Sequence, residues 1–170
     1  MDKKGAYQYN LKKGVKVMKK EQILLTGLLF LLLVSTSFSS ADDNADIEQV
    51  IKSSYFNGAF NDLDTESMRK GFHPEFAIFS VSGNKINRYP IDTWINNIEE
   101  RKQADNFDPK SSQMDCKIAS LDITGGSAAA KIELSRDGKM IYTDYLSLLK
   151  FDDGWKIAAK VYYAHPKNEK

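Results

Sequence analysis

Cysteine is almost missing from this chain of 170 residues, where Cys116 stands alone. No intrachain disulfide can form, so a folded domain must be held by its apolar core. Cys116 itself reads as a small, half-buried hydrophobe of a strand rather than a nucleophile. Histidine is nearly as scarce, with only His73 and His165, and two imidazoles give poor support to a metal site, so none is expected. A Gly-x-Ser-x-Gly elbow and a glycine-rich phosphate loop are both lacking, and Gly125-Gly126 is accounted for as a hairpin turn. These absences remove most cofactor-dependent and nucleophilic chemistry, and no cofactor is expected. No internal repeat is evident.

Long apolar runs are also lacking. The single extended one, Ile23 to Val34, is 12 residues, well short of the roughly 20 that a spanning helix needs. It follows the basic Met18-Lys19-Lys20 and precedes the small residues Ser35 to Ala41, which together have the three parts of a secretory signal peptide. Cleavage is expected after Ala41. A retained anchor is the alternative reading, and residues 1–17 read as an upstream extension. The expected organisation is thus an extension (1–17), a signal peptide (18–41) and one exported domain (42–170), destined for a periplasm or the exterior, with no stable membrane anchor after cleavage.

Strong charge of either sign is the last absence. The whole chain carries +1, and residues 42–170 hold 17 basic against 21 acidic side chains, a net −4. Scattered lysines on a mildly acidic domain make no footprint for nucleic acid, which needs clustered cations against phosphate.

What is present has a clear order. Ile47, Val50, Ile51, Tyr55 and Ala59 recur at helical spacing after the candidate caps Asn44 and Asp46, and predict a helix to about Phe60. Asp64 caps a short helix over Thr65–Lys70 that Gly71 ends. Phe76–Val81 reads as a strand turning at Ser82-Gly83-Asn84. Ile91, Trp94, Ile95 and Ile98 mark a third helix after Pro90. From Met114 the pattern changes to four strands, about 114–124, 127–134, 139–151 and 155–163. Glycine at Gly125-Gly126, Asp137-Gly138 and Asp153-Gly154 allows the positive φ that hairpin turns require. Three helices followed by a meander predict an α+β domain with the helices on one face of a curved antiparallel sheet.

The last hairpin, "DYLSLLKFDDGWKIAAKVYY" (Asp144–Tyr163), has two apolar faces. Pairing Phe151 with Trp155 puts Ile141, Thr143, Tyr145, Ser147, Leu149, Phe151, Trp155, Ile157, Ala159, Val161 and Tyr163 on one face. This more apolar set is assigned to the core. The other face then carries Met140, Tyr142, Asp144, Leu146, Leu148, Lys150, Lys156, Ala158, Lys160 and Tyr162. Its apolar centre predicts a homodimer through the outer sheet face, with Leu146, Leu148 and Tyr162 at the contact. Asp144 falls opposite Tyr162 and diagonal to Lys160, which allows a carboxylate, phenol and ammonium cluster and, as the preferred reading, an outward-facing Asp144–Lys160 ion pair at the dimer edge.

The helix with Tyr55 and Gly58, the "FHPEF" turn at Phe72–Phe76, the "PIDTW" helix start at Pro90–Trp94 and "DYLSLLKFDDGWKI" at Asp144–Ile157 resemble the Putative lumazine-binding family. That family belongs to the nuclear transport factor 2-like superfamily, with its ketosteroid isomerase-like and polyketide cyclase-like members. The resemblance covers essentially all of residues 42–170. It implies a cone-shaped α+β fold, a sheet curved round the first helix, an internal cavity and frequent dimers.

In such a cone Tyr55, His73, Phe79, Trp94 and Tyr145 come from different elements and are candidates to converge on a small-molecule ligand. Aromatic walls with a few polar tips suit a flat heterocycle or another hydrophobic molecule; equally, aromatics at such spacing can be plain core. His73, whose unperturbed imidazole titrates near about 6.5, is the candidate acid or base if the domain is an enzyme. Two functions stand open: an exported small-molecule binding protein, and a cofactor-free isomerase or dehydratase.

Overall fold

The structure is a computed structural model and describes residues 40–166. The extension and nearly all of the signal segment lie outside the described residues. The chain opens on α1 (Ser40–Val50) and continues in the same direction as a π-helical segment, Ile51–Asn61. Ile47, Ile51, Tyr55 and Ala59 are buried along this double segment, which is the face that the apolar spacing marked. Its wider end closes where the Asp62 amide donates to the Asn57 carbonyl at 2.8 Å, a winding often met at functional sites.

Asp64 caps α2 (Thr65–Gly71), its carboxylate accepting from the amides of Glu66 and Ser67, the expected use of an N-cap aspartate. At Gly71 a Cβ would lie 2.1 Å from the Ser54 hydroxyl oxygen. Only glycine lets the helix end press this closely on the first helical segment. Strand β1 (Phe72–Ser82) absorbs the whole FHPEF turn and pairs with β2 (Lys85–Pro90). Helix α3 (Ile91–Lys102) starts after Pro90 and buries Ile91, Ile95 and Ile98. A short 3-10 turn, Pro109–Ser112, leads to β3 (Asp115–Thr124), β4 (Ser127–Arg136), β5 (Lys139–Phe151) and β6 (Gly154–Ala164).

The six strands lie in the order β2-β1-β6-β5-β4-β3, antiparallel except where β1 runs parallel to β6. The expected α+β architecture of helices against a curved sheet is therefore the observed one. Bulges between Ile118 and Ser120, Leu134 and Ser135, and Ser147 and Leu148 bend the meander, because each extra residue increases local twist. Among the described residues no helix is long and apolar enough to cross a membrane.

In β5, and in β6 beyond Ala158, the faces are reversed from the expectation, while Trp155 and Ile157 are buried as expected. Leu146 and Leu148, expected on the outside, are each 1% exposed and belong to the core with Ala128, Ala130, Ile132 and Leu134 of β4. Tyr145, Val161 and Tyr163, expected inside, are 51%, 49% and 58% exposed. The physical reason is a bulge in β6. Asp144 does face Tyr162, and Leu146 faces Lys160, but Leu148 then faces Ile157, so Ala158 is an extra residue. Trp155 in turn pairs with Lys150 rather than with the expected Phe151, which faces Gly154. Above the bulge Trp155 and Ile157 point inward, and beyond it Lys160 and Tyr162 do. A uniform alternation through Ala158 cannot put both groups on one face.

Candidate functional site

Asp144, expected at a solvent-facing edge, has no solvent exposure, and its partner Lys160 is 6% exposed. The pair exists as its register predicted, but it lies beneath the first helical segment. Lys160 Nζ donates to Asp144 Oδ2 at 3.0 Å and to the Tyr55 hydroxyl at 2.8 Å. The Tyr55 hydroxyl in turn donates to the same Asp144 oxygen. A helix, β5 and β6 thus meet in a closed triangle of phenol, carboxylate and amine. Asp144 Oδ1 is buried with no hydrogen-bond partner among the described residues.

Burial sets the titration of this triangle. It pushes the Tyr55 phenol well above its ordinary range, reinforced by the Asp144 carboxylate beside it. Burial likewise lowers Lys160, and Asp144 offsets that only in part. Loss of hydration penalises the charged amine, while the neighbouring carboxylate favours it. Four rings compensate further, with Nζ at 5.1 Å from the Tyr55 centroid, 5.4 Å from Trp94 and from Tyr162, and 6.0 Å from Phe60. These are cation–π distances.

Lys160 forms the polar floor of a cavity of about 290 Å³. Phe60 and Trp94 wall it from the helices and Ile78 from β1, while Tyr142 and Tyr162 close the β5–β6 side. Ser80, Asn87 and Tyr89 add polar tips from β1 and β2. A larger hollow, about 830 Å³, surrounds the β4–β5 turn and the tail at Ala164–Pro166. It is shaped by a hairpin tip and a chain end, whereas the smaller one gathers side chains from six elements and a buried amine, which makes it the candidate site.

Of the five residues selected from sequence, two reach this region. Trp94 lines the cavity, and Tyr55 lies just behind Lys160, its ring 6.2 Å from that of Trp94. The other three do not. Phe79 stands between Ile78 and Ser80, which line the cavity, and so projects from the opposite face beside Val161. Tyr145 projects from that same outer face, paired with Val161. His73 stacks on Phe151 at 4.8 Å and accepts from the Glu75 amide at 3.1 Å, outside the cavity lining. His73 is thus apart from the cavity that Lys160 floors. Phe60, Ile78, Tyr142, Lys160 and Tyr162 were missed, although the diagonal of Asp144 and Lys160 was a signal for the amine.

Cys116 is half-buried, and burial pushes its thiol up to about 12. Such a thiol is inert at neutral pH. Among the described residues no group of three His, Cys, Asp or Glu side chains is placed to hold a metal.

An α+β cone with an aromatic cavity and a buried amine at its floor is the class that fold and site define. The chain belongs to the Putative lumazine-binding family, which it matches over residues 42–163. Among solved structures it is similar to a nuclear transport factor 2-like protein of unknown function from Shewanella baltica, with 29% identity, TM-score 0.60, and coverage of 78% of this chain and all of that one. A second such protein, from Methylobacillus flagellatus, is 28% identical with TM-score 0.56, over 78% of this chain and 98% of that one. Among curated proteins, aldolase FrzH of Cladobotryum sp is 20% identical over 126 residues, 73% of this chain and 95% of that protein.

Proposed function

We propose that the protein binds a small aromatic or hydrophobic molecule in the cavity floored by Lys160. The observation that carries this is the convergence of Phe60, Trp94, Tyr142 and Tyr162 round a 290 Å³ space with one amine at its base. Membership of a family described by lumazine binding supports the same reading. Flat rings stack between aromatic walls, while polar tips fix their orientation. Calorimetric titration with a panel of flat heterocycles beginning with lumazine tests it. Trp94→Ala should weaken the best binder about tenfold or more, and His73→Ala should leave it unchanged. No binding to the wild type, or equal binding to Trp94→Ala, would sink the reading.

Export and self-association belong to the same proposal. Residues 18–41 have the charge, apolar run and small-residue exit of a signal peptide. On the outer sheet face Tyr145, Val161 and Tyr163 are large and exposed, and an apolar patch of that kind suits a second copy. This outer face replaces the interface expected round Leu146, Leu148 and Tyr162. Chain recovered from an exported fraction should begin at Asp42 and sediment at twice its covalent mass. A start at Met1 or Met18, or a monomer at micromolar concentration, would remove the corresponding part.

A second reading, a cofactor-free enzyme, is favoured by the relative named as an aldolase and by the buried triangle. Its reactive groups are then Lys160, Asp144 and Tyr55 in place of His73.

A further inference from the structure

We propose that Lys160 captures a small aromatic aldehyde or ketone as a Schiff base at the floor of the cavity. The inference rests on the binding reading above, because the carbonyl compound must enter the same cleft.

Position comes first. The lining contains one primary amine, Lys160, and no second cation. The titratable groups that face it are Asp144 and Tyr142 of β5, Tyr162 of β6, Tyr89 of β2 and Tyr55 of the first helical segment. Tyr55 and Asp144 are outside the lining and hold the amine from behind. Nζ is thereby aimed, with two proton carriers at 2.8 and 3.0 Å and an aromatic slot in front. Aromatic walls select a flat, conjugated carbonyl compound over an aliphatic one.

Energetics agree. Stability alone gives little reason for a lysine here, since apolar residues of like volume commonly serve as well as a buried ion pair or better. The Asp144 oxygen left without a partner makes the cluster a poor stability device. A desolvated amine loses its proton more easily, and the neutral amine is the nucleophile of Schiff-base chemistry.

The step balances without any further reagent. Neutral Lys160 adds to the carbonyl carbon, and one nitrogen proton passes to the carbonyl oxygen, giving a carbinolamine. The second nitrogen proton follows to the same oxygen as the C–O bond breaks. Water leaves, and a neutral C=N bond remains. When the imine takes up a proton, the ring centroids at 5.1–6.0 Å from Nζ stabilise the cation.

The full chain is incubated with benzaldehyde and sodium cyanoborohydride at about pH 6.5, where exposed lysines are almost wholly protonated. Trapping adds the mass of the aldehyde less one oxygen, and peptide mapping locates it. Burial favours the neutral form of Lys160, and the aromatic slot holds the aldehyde against it, so the Lys160 peptide should be modified faster than any exposed lysine. The double variant Asp144→Leu with Lys160→Met, which leaves no buried charge unpaired, should lose that adduct while retaining the wild-type circular dichroism. Adducts spread over exposed lysines with none at Lys160 overturn the proposal. If benzaldehyde, in calorimetry without reductant, still binds the wild type and binds Trp94→Ala more weakly, covalent capture fails while the binding reading survives. If neither adduct nor heat appears and the heterocycles also fail to bind, both fall.

Discussion

Asp144→Ala should destabilise the protein by about 3–5 kcal/mol, because it leaves a buried amine without its counter-charge. Lys160 Nζ then retains the Tyr55 hydroxyl, and Tyr55 loses the acceptor for its own proton. Two buried polar groups are left under-satisfied, each of which costs about 1–3 kcal/mol. The double variant Asp144→Leu with Lys160→Met should recover most of the loss, since it removes both charges and keeps similar volume. Urea unfolding of the two variants measures the difference. A loss under about 1 kcal/mol for Asp144→Ala would mean that the pair is solvated, contrary to the burial of both partners.

The second large effect separates two adjacent leucines. Leu148 is 1% exposed in the core, and Leu149 is 42% exposed on the outer face. Leu148→Ala should cost about 2–5 kcal/mol through lost burial and the cavity left behind. Leu149→Ala should cost less than about 1 kcal/mol at protein concentrations low enough to avoid self-association. Equal effects, or the opposite order, would restore the face assignment that uniform alternation implied. The comparison tests the bulge at Ala158 as directly as any substitution can.

That bulge marks where local pattern stopped being informative. In β4, Ala128, Ala130, Ile132 and Leu134 alternate cleanly with exposed or half-buried neighbours, and the rule of period two is obeyed. In β6 the buried residues are Trp155, Ile157 and Lys160, and no alternating series contains all three. The hairpin was doubly misleading because its outer face is itself apolar. Composition favoured Tyr145, Val161 and Tyr163 for the core, while the lysines on the other face pointed to solvent. One of them, Lys160, instead lies over aromatic rings with its charge matched by Asp144.

The candidate site inherited the same inversion. Tyr55 and Trp94 were legible because each sits on a helix whose spacing marks its buried face, and Tyr55 follows Ile47 and Ile51 at intervals of four. Phe79 and Tyr145 were selected as aromatics on strands, where a shift of one position moves a side chain across the sheet. His73 was selected by chemistry alone. Its stacking on Phe151 and its bond to the Glu75 amide show an imidazole at the start of β1 occupied by local structure.

By itself the amino-acid sequence determined the element order, the helix faces, the hairpin turns and the pairing of Asp144 with Tyr162 and Lys160. All of these depend on contacts between near neighbours in sequence, or on glycine and aspartate acting where they stand. Which face of the sheet turns inward was decided only in three dimensions. A single extra residue at Ala158 reverses that choice, and the free energy that selects it comes from packing the whole sheet against Ile47, Ile51, Tyr55 and Ile95. The same packing carried a lysine from the expected surface to the floor of a cavity.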